Sequence, residues 1–170
     1  HLKPYTGENE ITFVKGKPKE AKKPVAVLAT KAPKGATLVK LTASSVQGGR
    51  DPWMAIDGNK KSRWCAANSS KPQWLQLEFD KPRELTGVNI NWESQSATYG
   101  YQLEGSLDGK TWKLLHDGTS NGEPGDTADE FHATTLKYLR VTGTSARSWI
   151  SIWELTVKGK RIKLIFPKFD

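Results

Sequence analysis

Cysteine is almost absent from the sequence, because Cys65 is the single one among 170 residues. An intramolecular disulfide needs two cysteines, so none can form within this chain. The three histidines, His1, His116 and His132, are scattered. Together with one cysteine they cannot supply the four Cys and His ligands of a structural zinc site at the usual spacings. The composition therefore excludes both an internal disulfide and a zinc cage of that type.

Long hydrophobic runs are also missing. The longest uninterrupted apolar stretch is Val25–Ala29, whereas a helix that crosses a bilayer needs about 20 apolar residues. No segment of the sequence is therefore long enough to span a membrane as a helix.

The familiar catalytic motifs are missing as well. The sequence contains no G-x-S-x-G elbow, no Walker loop, no G-x-G-x-x-G after a strand and no H-E-x-x-H. A Ser/His/Asp triad would have to use His116 or His132, which both lie beside predicted strands and which we interpret as ordinary histidines. No pair among the 18 acidic residues stands out as the two carboxylates of a glycoside hydrolase. We therefore expect no catalysis within this chain.

The formal net charge of +8 is concentrated near the two ends of the sequence. Residues 1–41 contain nine Lys and three Glu, a net +6, and residues 160–170 carry a net +3. The central segment, 42–159, has a net charge of −1. Basic runs are usually solvated linkers, and a nearly neutral centre does not provide the basic groove that nucleic acids require. We expect no nucleic-acid partner.

The distribution of proline and the periodicity of apolar residues divide the chain. Residues 1–36 mix Lys, Pro and Gly clusters with two short apolar runs, which predicts a basic linker or the tail of a preceding domain with one or two β segments. From Thr37 onward the pattern is that of a β protein. Apolar residues alternate with polar ones in two stretches, 75–79 and 88–92, and each predicts a half-buried strand.

The second half of the chain continues the β pattern. Tyr99–Leu115 has two β-like runs on either side of Asp108-Gly109, a strong hairpin signal. Residues 118–129 are rich in Gly, Asp, Asn and Thr and predict a long loop. Two more strands are predicted at 137–142 and 150–157. Short strands with frequent turn signals and no clear helical periodicity indicate an antiparallel sandwich or barrel.

Tryptophan is unusually frequent. Those inside strand patterns are expected in the core: Trp74, Trp112 and Trp153. Trp53, Trp92 and Trp149 lie where strands give way to loops. An exposed indole beside hydrogen-bonding side chains suits a pyranose ring, whose C–H face stacks on the aromatic face.

Six motifs resemble the coagulation-factor 5/8 type C, or discoidin, domain, and in particular its bacterial branch, the family 32 carbohydrate-binding modules. They are A-I-D-G-N-x-x-S-R-W (55–64), P-Q-W-L-Q-L-E-F (72–79), L-T-G-V-N-I-N-W-E (85–93), Y-Q-L-E-G-S-L-D-G-K-T-W (101–112), K-Y-L-R-V-T (137–142) and S-I-W-E-L-T-V-K-G (151–159). The resemblance implies an all-β, eight-stranded antiparallel jelly-roll β-sandwich of the galactose-binding-domain-like type over residues 37–159. Residues 160–170 then form a basic C-terminal tail.

The resemblance also implies a structural Ca²⁺ under the first loop. Asp57-Gly58-Asn59 followed by Ser62 is by itself an oxygen-rich loop that suits a hard cation. The ligands implied by the resemblance are the carbonyls of Met54, Asn59 and Trp153, the side chains of Asp57 and Glu154, and the hydroxyl and carbonyl of Ser62. Such an ion would join the first loop to the last strand and would have no catalytic role.

In the family that the chain resembles, the sugar lies on loops at one end of the sandwich. The carbohydrate-binding candidates in these loops are Trp53, Asn68, Trp92, Glu93, Tyr99, Arg147 and Trp149. Trp92 or Trp149 would stack on the ring, and Glu93, Asn68 and Arg147 would hold hydroxyls. Galactose-binding members often use a His/Arg/Asn set, and neither His116 nor His132 lies clearly in such a loop, so the resemblance does not imply galactose specificity.

The leading hypothesis is a non-catalytic carbohydrate-binding module that targets an attached polysaccharide-active enzyme, such as a glycosidase, sulfatase or lyase, to its glycan. The implied location is secreted, extracellular or periplasmic, in a bacterium. The alternative is a discoidin-type adhesion domain that binds protein or membrane lipid. Trp53 with Met54 is only a partial version of the apolar pair that membrane binding needs. A third possibility is a fragment whose active site includes a missing chain.

Overall fold

The computed structural model describes residues 11–13, 27–29, 37, 39–160 and 162. Most of the basic linker predicted for 1–36, and most of the basic tail predicted for 160–170, lies outside the described residues. The strands are β1 (Ile11–Phe13), β2 (Val27–Ala29), β3 (Val39–Ala43), β4 (Trp64–Cys65), β5 (Gln73–Trp92), β6 (Tyr99–Ser106), β7 (Lys113–Gly118), β8 (Thr127–Ala146) and β9 (Ser151–Gly159), with one 3-10 helix at Pro52–Ala55.

The fold is an antiparallel β-sandwich of the jelly-roll type, as expected. The strand order is β4-β9-β5-β8-β6-β7, with β3 also paired to β5, while β1 and β2 pair only with each other among the described strands. The predicted strands 75–79 and 88–92 are two parts of β5. Its first part pairs with β3 and the end of β8, and its second part pairs with β9 and the start of β8. β5 and β8 therefore belong to both halves of the sandwich, which enclose one core.

Alternation along β5 decides which side chains enter the core. Leu75, Leu77 and Phe79 are buried, and Val88 and Ile90 continue the buried face in the second part of the strand. Burying an aliphatic or aromatic side chain of this kind contributes about 1.5–3 kcal/mol each. Within the part of the chain that the structure describes, no helix has the length and apolar character needed to cross a bilayer.

The predicted hairpin is present and links β6 to β7. Gly109 has a φ of 72°, the left-handed conformation that glycine adopts without strain. The Asp108 carboxylate accepts hydrogen bonds from the backbone N–H groups of Lys110 and Thr111, at 2.8 Å each. These bonds favour the ionised carboxylate and lower the pKa of Asp108 to about 2. The Asp108 side chain therefore stabilises the turn in which it lies.

The loop predicted for 118–129 is shorter in the structure. β8 begins at Thr127 and runs to Ala146, so the strand predicted at 137–142 is more than three times as long as expected, with 20 residues. Residues 127–131 alternate between half-buried and exposed, but the half-buried positions include Thr127 and Asp129, which are polar. The apolar alternation that marks a strand is therefore absent there, and pairing with β5 supplies the strand geometry instead.

The prediction that Trp74, Trp112 and Trp153 lie in the core is wrong, because all three are half-exposed. The fully buried tryptophans are Trp64 and Trp92. Strand alternation explains Trp74, whose neighbour Leu75 takes the inward position on β5. Trp112 lies in the connection between β6 and β7, outside the regular strands.

Two of these tryptophans form a stack with an arginine on the outer face of the sandwich. The Arg140 guanidinium lies 4.7 Å from the ring centre of Trp74 and 4.0 Å from that of Trp112. Its Nε and Nη2 both donate to Gln76 Oε1, at 3.1 and 2.7 Å. Cation–π contact and hydrogen bonds together fix the three side chains.

The strand register brings five loops to one end of the sandwich. Ala43 pairs with Leu75, Gln73 with Gly143, Tyr99 with Ala146, Tyr101 with Gly118, and Trp92 with Ile152. The loops that follow or precede these residues therefore lie at the same end. We call this end the rim, and it consists of residues 44–63, 66–72, 93–98, 119–126 and 147–150.

Candidate functional site

Trp149 is the exposed aromatic side chain of the rim. Among the described residues three large apolar side chains are exposed, namely Leu107 (58%), Leu114 (49%) and Trp149 (42%). Leu107 follows β6 in the hairpin turn and Leu114 lies in β7, so only Trp149 belongs to a rim loop. An indole held open to solvent beside polar groups can stack on a sugar ring.

Contacts between two rim loops hold the segment that carries Trp149. Lys71 Nζ donates to the carbonyl oxygen of Ser148 at 2.6 Å. The N–H of Ala66 donates to the carbonyl of Ile150 at 3.0 Å. The two bonds attach residues 148 and 150 to the loop 66–72. Trp149 lies between these attachment points.

Asn68, one of the predicted sugar ligands, lies exposed in the adjacent loop. Its Oδ1 accepts the N–H of Ser70 at 2.9 Å, the hydroxyl of Ser70, and Nε2 of Gln73 at 3.4 Å. Its Nδ2 has no acceptor among the described residues. The side chain is therefore oriented by its oxygen, and its amide nitrogen can donate to a hydroxyl.

Glu93 follows β5 and is held by three contacts near the same loops. Its carboxylate pairs with Arg63 at 2.9 Å, and its backbone N–H donates to Ser151 O at 3.1 Å. Its own carbonyl accepts the indole N–H of Trp153 at 3.2 Å. Arg63 also lies 5.0 Å from the ring centre of Trp153. Glu93 is a fixed, partly exposed acceptor whose charge is balanced by Arg63.

Trp92 and Tyr99 do not form part of an exposed site, so these two predictions are wrong. Trp92 is 0% exposed and Tyr99 is 4% exposed. The indole N–H of Trp92 donates to Thr127 Oγ1 at 3.1 Å, and the Tyr99 hydroxyl accepts the N–H of Ser94 at 3.1 Å. Trp92 continues the inward face of β5 after Ile90, which is why a residue at the end of a strand is still buried.

The remaining candidates occupy the rim in different ways. Trp53 lies half-buried in the 3-10 helix, and its carbonyl accepts the N–H of Ile56. Arg147 is exposed in the same loop as Trp149. Sequence reasoning missed Lys71, which only the contact with Ser148 brings to the site. Its place directly before the strand entry Pro72-Gln73 is the one signal that could have pointed to it.

His116, which a catalytic triad would need, faces a carboxylate and a phenol instead of a serine. Its Nε2 lies 3.2 Å from Asp129 Oδ1, and the Tyr101 hydroxyl donates to Asp129 Oδ2 at 2.6 Å. The ring of His116 stacks on that of Tyr101, with centroids 5.8 Å apart. These contacts join the three strands β6, β7 and β8, so we interpret His116 as a structural residue.

Four of the six predicted cation ligands come together in the loop before β4 and on β9. The hydroxyl of Ser62 donates to Asp57 Oδ2 at 2.6 Å and lies 3.1 Å from the carbonyl of Asn59. The N–H of Asn59 donates to Asp57 Oδ1 at 2.8 Å. The carboxyl group of Glu154 lies next to that of Asp57. The predicted carbonyl ligands of Met54 and Trp153 belong to the 3-10 helix and to the residue before Glu154.

The state of Glu154 agrees with a cation between these groups. Glu154 is 8% exposed, and its Oε1 is buried with no hydrogen-bond partner among the described residues. Burial, and then the adjacent carboxyl of Asp57, raise the pKa of Glu154 to about 7. The described residues contain no cluster of three or more Asp, Glu, His or Cys side chains. A cation here would therefore depend on two carboxylates with carbonyl and hydroxyl oxygens, the donor set that Ca²⁺ accepts.

Comparison with solved structures gives relatives of one kind. Chitosan-binding module 1 of a chitosanase/glucanase from Paenibacillus sp. IK-5 is 32% identical with a TM-score of 0.64, over 71% of this chain and 94% of that one. Module 2 of the same enzyme, solved with chitotriose, is 28% identical (TM-score 0.63; 70% and 95%). The CBM32 of AlyQ, solved with 4,5-unsaturated mannuronic acid, is 29% identical (TM-score 0.62; 69% and 92%).

These relatives are carbohydrate-binding modules, a non-catalytic type of domain, and one structure of AlyQ joins its CBM32 to an alginate lyase domain. No curated protein sequence matches the chain. A family model, described as the F5/8 type C domain, matches residues 40–155. The match covers β3 to most of β9, and with them the rim and the Asp57–Glu154 pair. The chain belongs to the F5/8 type C domain family.

Proposed function

We propose that this chain is a carbohydrate-binding module that brings an attached polysaccharide-active enzyme to its glycan. The observation that carries the proposal is the exposed indole of Trp149, which shares its loop with Arg147 and is attached to the loop that carries Asn68, so that Arg147 and Asn68 Nδ2 are available as hydrogen-bond donors. Stacking on one face and donors at the edge are what a pyranose ring requires. Support also comes from relatives that bind chitotriose or a mannuronic acid.

Attachment to an enzyme explains how a weak site would be useful. A shallow rim with one exposed indole buries little of a mono- or disaccharide, so the affinity of a single site is low. A tether to a catalytic domain raises the local concentration of substrate near that domain. The relative in which a CBM32 is joined to an alginate lyase has this arrangement. A bacterial, secreted or periplasmic location belongs to the same proposal.

The proposal includes a structural Ca²⁺ at Asp57 and Glu154. The ion would use the side chains of Asp57, Ser62 and Glu154, with the carbonyls of Met54, Asn59, Ser62 and Trp153 completing the set. It would relieve the repulsion between the two carboxylates and join the rim loop to β9. The fit rests on the buried, unpartnered Oε1 of Glu154.

The adhesion alternative has less support from the rim. Membrane insertion needs neighbouring exposed apolar side chains on the loops, and Trp149 is the only large exposed one among the described rim residues. A glycan array with the full chain, run beside binding to anionic lipid vesicles, tests the two functions. Binding to glycans and not to vesicles is expected. Binding to vesicles alone would overturn the proposal.

A further inference from the structure

The surroundings of Trp149 are positively charged. Lys71 Nζ lies 2.6 Å from the carbonyl oxygen of Ser148, the residue before Trp149. Arg147 is exposed two residues before Trp149 in the same loop. Neither Lys71 nor Arg147 forms an ion pair with a carboxylate of the described residues. Two uncompensated cations therefore flank the indole that the sugar would contact.

None of the described carboxylates of the rim forms an ion pair with Lys71 or Arg147. Glu93 is paired with Arg63 at 2.9 Å. Asp126 accepts hydrogen bonds from two side-chain amides, and with Glu123 it belongs to the loop that joins β7 to β8. Asp51 Oδ2 is buried. The two unpaired cations near Trp149 therefore belong to two neighbouring loops, although the whole central segment is nearly neutral.

We infer that the Trp149 site selects a sugar that carries an anionic group, either the carboxylate of a hexuronic acid or a sulfate ester. This inference rests on the proposed function. The indole holds the ring, the guanidinium of Arg147 binds two oxygens of the anion, and Lys71 adds a second positive charge. Lys71 uses one N–H for Ser148 and keeps two for the ligand. A glucosamine unit brings an ammonium group to the same place and is repelled.

Trisaccharides of different charge test whether the Trp149 site prefers an anionic sugar. Titration calorimetry with the full chain would compare a uronate trimer, a sulfated neutral-sugar trimer, an uncharged trimer and a glucosamine trimer at low and high salt. We expect an anionic trimer to bind more tightly than the uncharged one and the glucosamine trimer to bind most weakly. The preference should shrink at high salt, because exposed charges are screened. The carboxylated and the sulfated trimers distinguish the two sources of the anion.

A charge variant with a matched control assigns the effect to the rim. Arg147→Gln should weaken binding of the preferred anionic trimer about tenfold more than binding of the uncharged trimer, because both trimers lose a hydrogen-bond donor and only the anionic one also loses its opposite charge. Lys110→Gln removes the same charge from the exposed hairpin turn and should change neither. Equal losses in both variants, or no preference for anions, would overturn the inference while the proposed function stands. Failure of every trimer to bind would overturn both.

Discussion

The indole ring of Trp92 and the phenol ring of Tyr99 stack with their centroids 4.5 Å apart and their planes 9° from parallel. Tyr101 meets the same indole at a tilt, with centroids 5.4 Å apart. The three rings close the core directly beneath the rim. The stacked aromatic rings at this end of the sandwich are therefore buried, and the exposed aromatic side chain among the described rim residues is Trp149.

Replacement of Trp92 should mainly affect stability. Trp92→Ala removes a fully buried indole and its hydrogen bond to Thr127, so the free energy of unfolding should fall by about 3–5 kcal/mol. Trp149→Ala, the matched control, should change it by no more than about 0.5 kcal/mol. Urea denaturation followed by fluorescence measures both. A Trp92 variant as stable as the Trp149 variant would show that the indole is not part of the core.

The stack of Arg140 between Trp74 and Trp112 should contribute to stability through its planar shape. Arg140→Lys keeps the charge but loses the paired hydrogen bonds to Gln76, so we expect a loss of about 1 kcal/mol in the free energy of unfolding. Arg147→Lys makes the same change at an exposed residue and should be neutral. Chemical denaturation of both variants measures the two free energies of unfolding. Equal values for Arg140→Lys and Arg147→Lys would contradict a stabilising role of the Arg140 stack.

Removal of Ca²⁺ should lower the thermal stability of the protein. The melting temperature should be higher in calcium than in a chelator, because the ion binds only the folded loop. Glu154→Gln should abolish the difference. In chelator this variant should be at least as stable as the wild type, because it removes a buried carboxylate beside Asp57. A wild-type melt that does not change with calcium would exclude the site.

The hairpin turn should make the stability of the folded protein weakly dependent on pH. The pKa of Asp108 is lowered from 3.8 to about 2 by the N–H groups that its carboxylate accepts. The folded state therefore favours the ionised carboxylate of Asp108. The stabilisation that this carboxylate gives to the folded state is complete above pH 3.8 and is lost as the pH falls to about 2. Asp108→Asn should melt at a slightly lower temperature at neutral pH, and the difference should close across that interval. A constant difference would contradict this account.

The strands that could be predicted are those with one apolar face. Alternation identified 75–79 and 88–92 because the inward positions are Leu, Phe, Val, Ile and Trp. The start of β8 could not be predicted, since its half-buried positions include Thr127 and Asp129. The sequence pattern also did not predict that β5 is one continuous strand with a register shift between Glu78 and Arg83. Its polar middle segment reads as a break between strands.

The candidate site could be predicted in outline and not in detail. Local sequence placed Trp92 and Trp149 alike, at the ends of strand patterns, and only three-dimensional packing separates the buried one from the exposed one. Lys71 was missed because its partner Ser148 is distant in sequence. Asp57 was identified from its oxygen-rich loop, but its pairing with Glu154 was found through the family resemblance, since periodicity does not reveal a contact between a loop and the last strand.

The most direct measurement is a glycan titration of three forms of the full chain: wild type, Trp149→Ala and Trp112→Ala. Trp112 is a half-exposed indole in the connection between β6 and β7, outside the rim, and so serves as the control. We predict that the wild type and the Trp112 variant bind the same trisaccharide with similar affinity, and that the Trp149 variant, still folded, does not bind it. Equal binding by all three forms, or loss of binding only in the Trp112 variant, would contradict a sugar site at the rim.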